Sequence, residues 1–276
     1  MMELDARADA PAVLRSPLSD AFASPGKRVR GTLTLAVGES LGASAANLVD
    51  AACAFEMIHT SSLLLDDLPA MDDALVRRGQ LAHHRAHGED LAILTAVALL
   101  NHSYSQIVSS WKLAKPRRWD LAAILSEVIE AVGWNGSIGG EAVDLHSEDR
   151  ELDFHTLEYI HSRKTGALFV ASATVGAMLA DCRDTALSSI RSYAKNLGLA
   201  FQISDDILDV TATKEQLGKD VGKDVEKLTF VKLAGLEGAR ELNRELIATA
   251  IAALEPIGKN GDTLRALAIM LRDRTA

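Results

Sequence analysis

Residues 63–73 read LLLDDLPAMDD, four aspartates set into one of the more apolar neighbourhoods of a 276-residue chain. Taking a carboxylate out of water is costly unless something positive pairs with it. Three explanations compete: a solvated helix end, an ion-pair network and a metal site. Upstream, Leu48, Ala52, Phe55, Ile58, Ser62 and Leu65 recur at helical spacing, so a helix is expected from Ser44, capped by that serine after Gly42. Pro69 stands three residues after Asp66. The helix is expected to kink or loosen there, which lets Asp72 or Asp73 swing back toward Asp66. His59, seven residues before Asp66, falls two turns up the same face.

The helical pattern continues in both directions. Further helices are expected at 29–41, 88–113, 119–146, 153–180, 184–212, 225–235, 237–255 and 260–275. No run alternates convincingly as a strand, and no Ser/Gly-rich linker, charge block or low-complexity segment divides the chain, so residues 1–276 read as a single all-α domain. The formal net charge of −9 argues against nucleic acid as a partner, because binding a phosphate backbone relies on Lys and Arg. Cys53 and Cys182 are too few for a disulfide framework, which makes a reducing, cytoplasmic setting the default. The opening MMELDARADAPAVL lacks the basic start and apolar core of a secretory signal. The run LAILTAVALL at 91–100 is about half a membrane span, so no membrane insertion is expected.

A second acidic cluster lies in FQISDDILDV, residues 201–210. Asp205 and Asp209 are four apart and Gln202 precedes Asp205 by three, so all three share one stripe of a helix, while Ile203, Ile207, Leu208 and Val210 serve the core. Two such clusters in matching contexts suggest that they meet across a cavity and share something positive. Donors that are all carboxylates, without His or Cys at ligand spacing, favour a hard cation, and Mg²⁺ is the natural candidate. That ion keeps waters and is often held by one or two carboxylates plus substrate phosphates, which suggests a bridged polyphosphate. The bases fit this. PGKRVRG at 25–31 sets Lys27, Arg28 and Arg30 at the start of an expected helix, VRRG at 76–79 follows the first acid cluster, and GKDVGKDVEK at 218–227 follows the second. The alternative is an ion-pair network of the aspartates with Arg77, Arg78 and the lysines near 219–227.

GKRVR, DDLPAMDDALVRRG, GGEAVDL, RKTGALF, FQISDDILD and LGKDVGKDVEKLTF, in this order between about residues 25 and 240, resemble the trans-prenyl diphosphate synthases. These enzymes elongate isoprenoid diphosphates head to tail. The resemblance implies the isoprenoid-synthase fold, an all-α bundle around a deep central cavity, usually homodimeric. It implies that Asp66, Asp72 and Asp205 bind three Mg²⁺ ions on the allylic diphosphate, supported by Asp67 and Asp209. Arg77, Lys164, Lys219 and Lys227 would contact that diphosphate. Lys27, Arg30, His59 and Arg78 would hold isopentenyl diphosphate, and Thr165 and Gln202 would line the reacting carbons. His83, His84 and His87 read as polar loop or surface residues.

Product length is read in that family above the first acid cluster. Farnesyl synthases with the same aspartate spacing usually carry an aromatic residue where this chain has Ser61. Ser61 and Ser62 leave room, so a twenty-carbon product, geranylgeranyl diphosphate, is expected, with the fifteen-carbon farnesyl product as the alternative and Tyr104 as a candidate floor. Three positions depart from the pattern. Gly31 stands where Pro is common, GQLAHH lacks the usual Pro-Thr after Arg77-Arg78, and Glu141 replaces the usual Gln. The last change either tunes cation binding or faces a neighbouring base. A non-catalytic subunit would be expected to lose one acid motif, and both are intact. A terpene cyclase has no need of GKRVR.

Overall fold

Ala, Gly, Ser and Thr at inward helical positions let backbones approach closely, and the packing of this chain follows from them. The structure, a computed structural model, describes residues 11–23, 26–146, 154–211 and 229–274. The helices are α1 (Ala12–Ala23), α2 (Val29–Ser40), α3 (Val49–Asp66), α4 (His83–His87), α5 (Glu89–Ala114), α6 (Leu121–Val132), α7 (Ser137–Leu145), α8 (Phe154–His161), α9 (Ala167–Leu179), α10 (Asp184–Thr211), α11 (Phe230–Ala253) and α12 (Asp262–Arg272). A π-helical turn, Ser162–Gly166, joins α8 to α9, and a 3₁₀ turn, Glu255–Gly261, precedes α12. Strands β1 (Val76–Arg77) and β2 (Gln80–Leu81) form a two-stranded hairpin.

Helix α9 is the spine. Almost every residue from Leu168 to Leu179 is buried, with α2, α6 and α10 packed around it. The crossing with α2 is close enough that a Cβ on Gly176 would stand 2.5 Å from the Thr34 carbonyl oxygen. It is pinned where the Thr34 hydroxyl, fully buried, donates to the Ser172 carbonyl at 3.1 Å. Helix α3 packs on α2 and on α5, and α10 packs on α11. α3 and α10 therefore flank the α2–α9 pair, and these are the helices that carry the two acid clusters. One apolar cluster, from Leu33 through Phe55, Phe169 and Tyr193 to Leu271, runs through all of this.

Helix existence was readable and helix ends less so. The expected helix at 119–146 is two, because Gly133 and Gly136 turn the chain between α6 and α7; a Cβ on Gly136 would lie 2.2 Å from the Ala131 carbonyl oxygen. Ser44 heads only the short 3₁₀ turn Ala45–Asn47 without a side-chain cap bond, and α3 starts at Val49. The break expected between 235 and 237 is Gly235, whose φ of 72° and ψ of 167° interrupt α11. α1 was not among the expected helices; Pro17 is buried inside it. His83 and His84 are buried rather than superficial. His83 Nε2 bonds to the Pro17 carbonyl oxygen at 3.0 Å and His87 Nε2 meets Asp20 at 2.9 Å, so α4 holds α1 in place.

α5 extends well beyond the apolar run read at 91–100, and by length and composition it is apolar enough to cross a membrane. Its inward stripe, including Ala92, Ala96, Leu99 and Ile107, is buried in this fold, while Ile93, Leu94 and Val97 face outward and are exposed.

The α2–α9 crossing is testable. Gly→Ala inside a helix ordinarily gains about 1 kcal/mol in propensity, but at Gly176 the added carbon meets backbone. Gly176→Ala is expected to lose about 1–3 kcal/mol net, the usual cost of overpacking, measured by chemical denaturation.

Candidate active site

Helix α3 stops at Asp66. Pro69 has no N–H to continue the ladder, and the chain doubles back so that the Asp72 N–H donates to the Asp66 carbonyl oxygen at 2.9 Å and the Ala74 N–H to that of Asp67 at 3.1 Å. The helix thus ends where a kink was expected, and the return of Asp72 to Asp66 is made by backbone. Asp67 points inward, 1% exposed, and receives Arg77, whose Nε donates to Oδ1 at 2.8 Å while Nη2 reaches the same oxygen. Arg77 is delivered by the β1–β2 hairpin, whose turn residues Arg78 and Gly79 have φ of 53° and 77°. That is the two-residue geometry matched to strand twist. A hairpin was missed because Arg-Gly is not the usual Asn-Gly signal. Asp73, at φ 44°, pairs with Arg85 at 2.6 Å on the surface. Asp67 is therefore paired with Arg77, as the network reading had it, and Asp73 with Arg85, which that reading did not include.

Asp66 is the most perturbed carboxyl of the cluster. Burial, then the charge of Glu141, push its pKa up to about 7, with Lys164 opposing and Asp72 adding to the rise. A cation beside Asp66 would relieve this field directly.

The π turn supplies the facing groups. Helical ladders with an extra residue are common at functional sites, and this one sets Lys164 and Thr165 toward α7 and α10. Lys164 Nζ lies 2.6 Å from Glu141 Oε2 and 2.6 Å from Asp144 Oδ2. Burial opposes its charge, but these two carboxylates outweigh burial and raise its pKa. Asp144 was quoted in GGEAVDL but not singled out; its place three residues after Glu141 on α7 was the available signal. The Thr165 hydroxyl donates to Gln202 Oε1 at 3.2 Å, which ties the turn to α10.

On α10, Asp205 receives Arg274 Nη2 at 2.8 Å. The Arg274 guanidinium lies 3.9 Å from the Phe201 ring centroid and its side chain is 7% exposed. Asp209 is half-buried one turn further on. Asp206, which sequence reasoning passed over, is buried; burial raises its pKa to about 6, and it accepts the Phe230 N–H at 2.9 Å and Gln202 Nε2 at 3.3 Å. It anchors the start of α11, a role invisible without the tertiary contact.

The remaining bases gather beside α2. Arg30 is buried, stands 5.2 Å from the Phe169 ring centroid, and has its pKa lowered to about 10 by burial, with Glu56 and Asp205 opposing. His59 is held well below its ordinary pKa by burial and then by Arg30, Arg78, Arg77 and Arg28. Arg78 lies against Gly26, where a Cβ would meet its Nη1 at 2.9 Å. Lys27 is exposed. Gly31 uses the N–H that a proline would lack, donating to Glu56 Oε1 at 2.8 Å. A cavity of about 420 Å³ opens between α1, the end of α3 and the hairpin, with Asp67, Arg77 and Arg78 in its wall. Lys219 and Lys227 lie outside the described residues.

The two serines separate. Ser61 is buried and donates to the Ala96 carbonyl oxygen at 2.8 Å, facing α5 rather than the acid face of α3. Ser62, four residues before Asp66, is half-buried and bonds back to the His59 carbonyl oxygen. Tyr104 packs at the edge of the main apolar cluster.

Among the described residues no three acidic, imidazole or thiol side chains converge tightly enough to chelate one ion unaided. Oxygen donors offered singly and in pairs suit Mg²⁺, which keeps waters and takes phosphate oxygens. Asp66, Asp72 and Asp209 fit that ion, and Asp205 fits it through the oxygen that Arg274 does not take. Asp67, turned onto Arg77, fits the part of a support.

The model of the polyprenyl synthetase family matches residues 11–267, and the chain belongs to that family. It is 43% identical over 253 residues to a dimethylallyltranstransferase of Fischerella ambigua (strain UTEX 1903), covering 91% of this chain and 72% of that one. It is 40% identical to the chloroplastic geranylgeranyl pyrophosphate synthase of Capsicum annuum, over 89% of this chain and 67% of the relative. A geranyltransferase of Helicobacter pylori, solved with magnesium and isoprenyl diphosphate, superposes with a TM-score of 0.84 at 28% identity, covering 95% and 89% of the two chains. The isoprenyl synthase helical bundle expected from the motifs is the fold observed.

A carboxyl with a raised folded-state pKa binds its proton more tightly folded than unfolded. Asp66 therefore makes metal-free stability fall as pH rises from about 4 to about 7, with the full cost present above that window. Asp66→Asn is expected to make the metal-free protein more stable than the parent at about pH 8 and to narrow that advantage toward about pH 4. Denaturant titrations at the two pH values check this.

Proposed function

We propose that this prenyltransferase condenses isopentenyl diphosphate with allylic diphosphates head to tail, with Mg²⁺, and that geranylgeranyl diphosphate is its product. The observation that carries the reading is the arrangement of charge. Asp66, with Asp72 close in charge, stands at the end of α3 within the field of Lys164, Asp205 and Asp209 lie one turn apart on α10, and Arg30, Arg78, Arg77 and Arg28 gather around His59. Two anionic headgroups need two such places.

Mg²⁺, three ions in this proposal, would stabilise negative charge on the departing diphosphate. Lys164 and Arg77 orient that diphosphate at its oxygens, with Lys219 and Lys227 assigned the same task. Arg30, Arg78 and Lys27 hold the second diphosphate. His59, neutral in this surrounding, contributes a hydrogen bond rather than a charge. The Thr165 and Gln202 dipoles, bonded to each other, are assigned the stabilisation of positive charge that develops on the allylic carbons. No nucleophilic side chain is required: the isopentenyl double bond attacks the allylic carbon, and the proton lost at the end leaves with the released diphosphate.

A second copy of the chain is proposed to cover Ile93, Leu94 and Val97 on α5, because an apolar stripe of that kind is ordinarily an interface. Residues 1–276 are proposed to act as one domain, in the cytoplasm; the free thiols of Cys53 and Cys182 support a reducing setting.

The purified chain, given Mg²⁺ and isopentenyl diphosphate with dimethylallyl, geranyl or farnesyl diphosphate, is expected to yield a twenty-carbon product. A fifteen-carbon product would leave the reaction in place and overturn the length. No elongation from any starter would overturn the reading. Asp66→Ala and Asp205→Ala are expected to lose more than about a thousandfold in turnover while remaining helical, a size in keeping with removal of a principal electrostatic group. Because Ser62 shares the face of Asp66 and Ser61 does not, Ser62→Phe is expected to shorten the product, whereas Ser61→Phe is expected to lower the melting temperature by separating α3 from α5.

A further inference from the structure

Lys164 is one of the cations through which the proposed site reaches a diphosphate, yet this chain already holds it between two carboxylates. The closeness is built in. Gly140 brings α7 against the π turn so tightly that a Cβ there would stand 2.4 Å from the Lys164 backbone nitrogen. Glu141 and Asp144, three residues apart on α7, then flank one amine at 2.6 Å each. Two negative charges against one positive leave the trio at −1, where the glutamine usual at position 141 would leave it neutral. The side chains are 27% exposed for Lys164, 13% for Glu141 and 26% for Asp144, so solvent screens this charge only in part. The charge of Glu141 also bears on Asp66 more strongly than the charge of Lys164 does.

We propose that Glu141 is a positioning and specificity-determining residue: it holds Lys164 on α7 and, by its charge, makes diphosphate binding depend on Mg²⁺. This rests on the reading of the site given above. A bare diphosphate approaching Lys164 meets the Glu141 and Asp144 carboxylates, which repel it and compete for the amine. A cation at Asp66 is attracted by the same carboxylate and screens the incoming anion from it. One charge at position 141 thus disfavours the metal-free diphosphate and favours the metal.

Glu141→Gln separates charge from geometry, since the amide oxygen still accepts from Lys164 Nζ. Inorganic pyrophosphate is titrated calorimetrically into the full chain, once in EDTA and once across a Mg²⁺ series, with thermal melts confirming that both proteins are folded. The variant is expected to bind pyrophosphate in EDTA roughly threefold or more tightly than the parent, and to need roughly threefold or more Mg²⁺ for half-saturation, as suits one partly screened charge. A role confined to holding Lys164 would move neither quantity, and unchanged values overturn the proposal. Weaker binding in EDTA overturns it too, by showing that the carboxylate helps rather than repels. If the parent binds no pyrophosphate even with saturating Mg²⁺, the site reading falls and the proposal falls with it. Binding by the parent with an unaltered variant sinks the proposal alone.

Discussion

Charge taken out of water has to be matched locally, and this constraint shapes the middle of the bundle more than any other. Several buried or half-buried acids in the site have a base led to them by different devices. A hairpin brings Arg77 to Asp67, a π turn brings Lys164 to Glu141 and Asp144, and the segment just past the end of α12 carries Arg274 to Asp205. Where burial and neighbouring acids outweigh the bases in reach, the carboxyl holds its proton more tightly, as Asp66 does. Arg30 shows the converse: burial weakens its hold on a proton, and an aromatic face at 5.2 Å supplies part of the compensation that water would have given. The helices could pack in many ways around apolar side chains alone. Far fewer arrangements also satisfy these charges.

Close packing makes the matching possible. Gly140, Gly176 and Gly26 each stand where a side chain would strike a neighbour, and each lies at a contact that sets a functional element: the π turn against α7, α9 against α2, and the 26–30 segment against Arg78. Positive φ at Arg28, Asp73 and Arg78 belongs to the same region. Non-glycine residues in that conformation carry local strain, and strain of this kind gathers where chain geometry serves a site.

Both acid clusters were legible in the sequence because they broke the apolar periodicity of α3 and α10, and the broken pattern itself located them. Asp205 and Asp209 share a helix face by spacing alone, and Pro69 announced the turn after Asp66. What stayed hidden depended on contacts distant in the chain. Nothing local to Asp206 predicts that it caps Phe230, twenty-four residues on. His83 and His84 looked superficial because α1, whose Pro17 carbonyl receives His83, was not among the expected helices. Ser61 and Ser62 were read together, yet a rotation of one residue turns one to α5 and leaves the other on the face of Asp66. Glu141 was noticed as a departure, but which base it faced required the fold.

Arg274 reaches Asp205 across 69 positions of sequence, and it does so only after α12 has docked on α10 and α11. Its guanidinium bonds the acid, donates to the Phe201 carbonyl oxygen and covers the Phe201 ring. The second acid helix is therefore electrostatically finished late in assembly rather than by its own neighbours. A chain cut just short of this arginine would keep nearly all of its apolar core while an acid of the site lost its buried counter-charge. A chain lacking the whole of α12 would lose Leu264, Leu267, Ala268 and Leu271 from the core as well as this counter-charge.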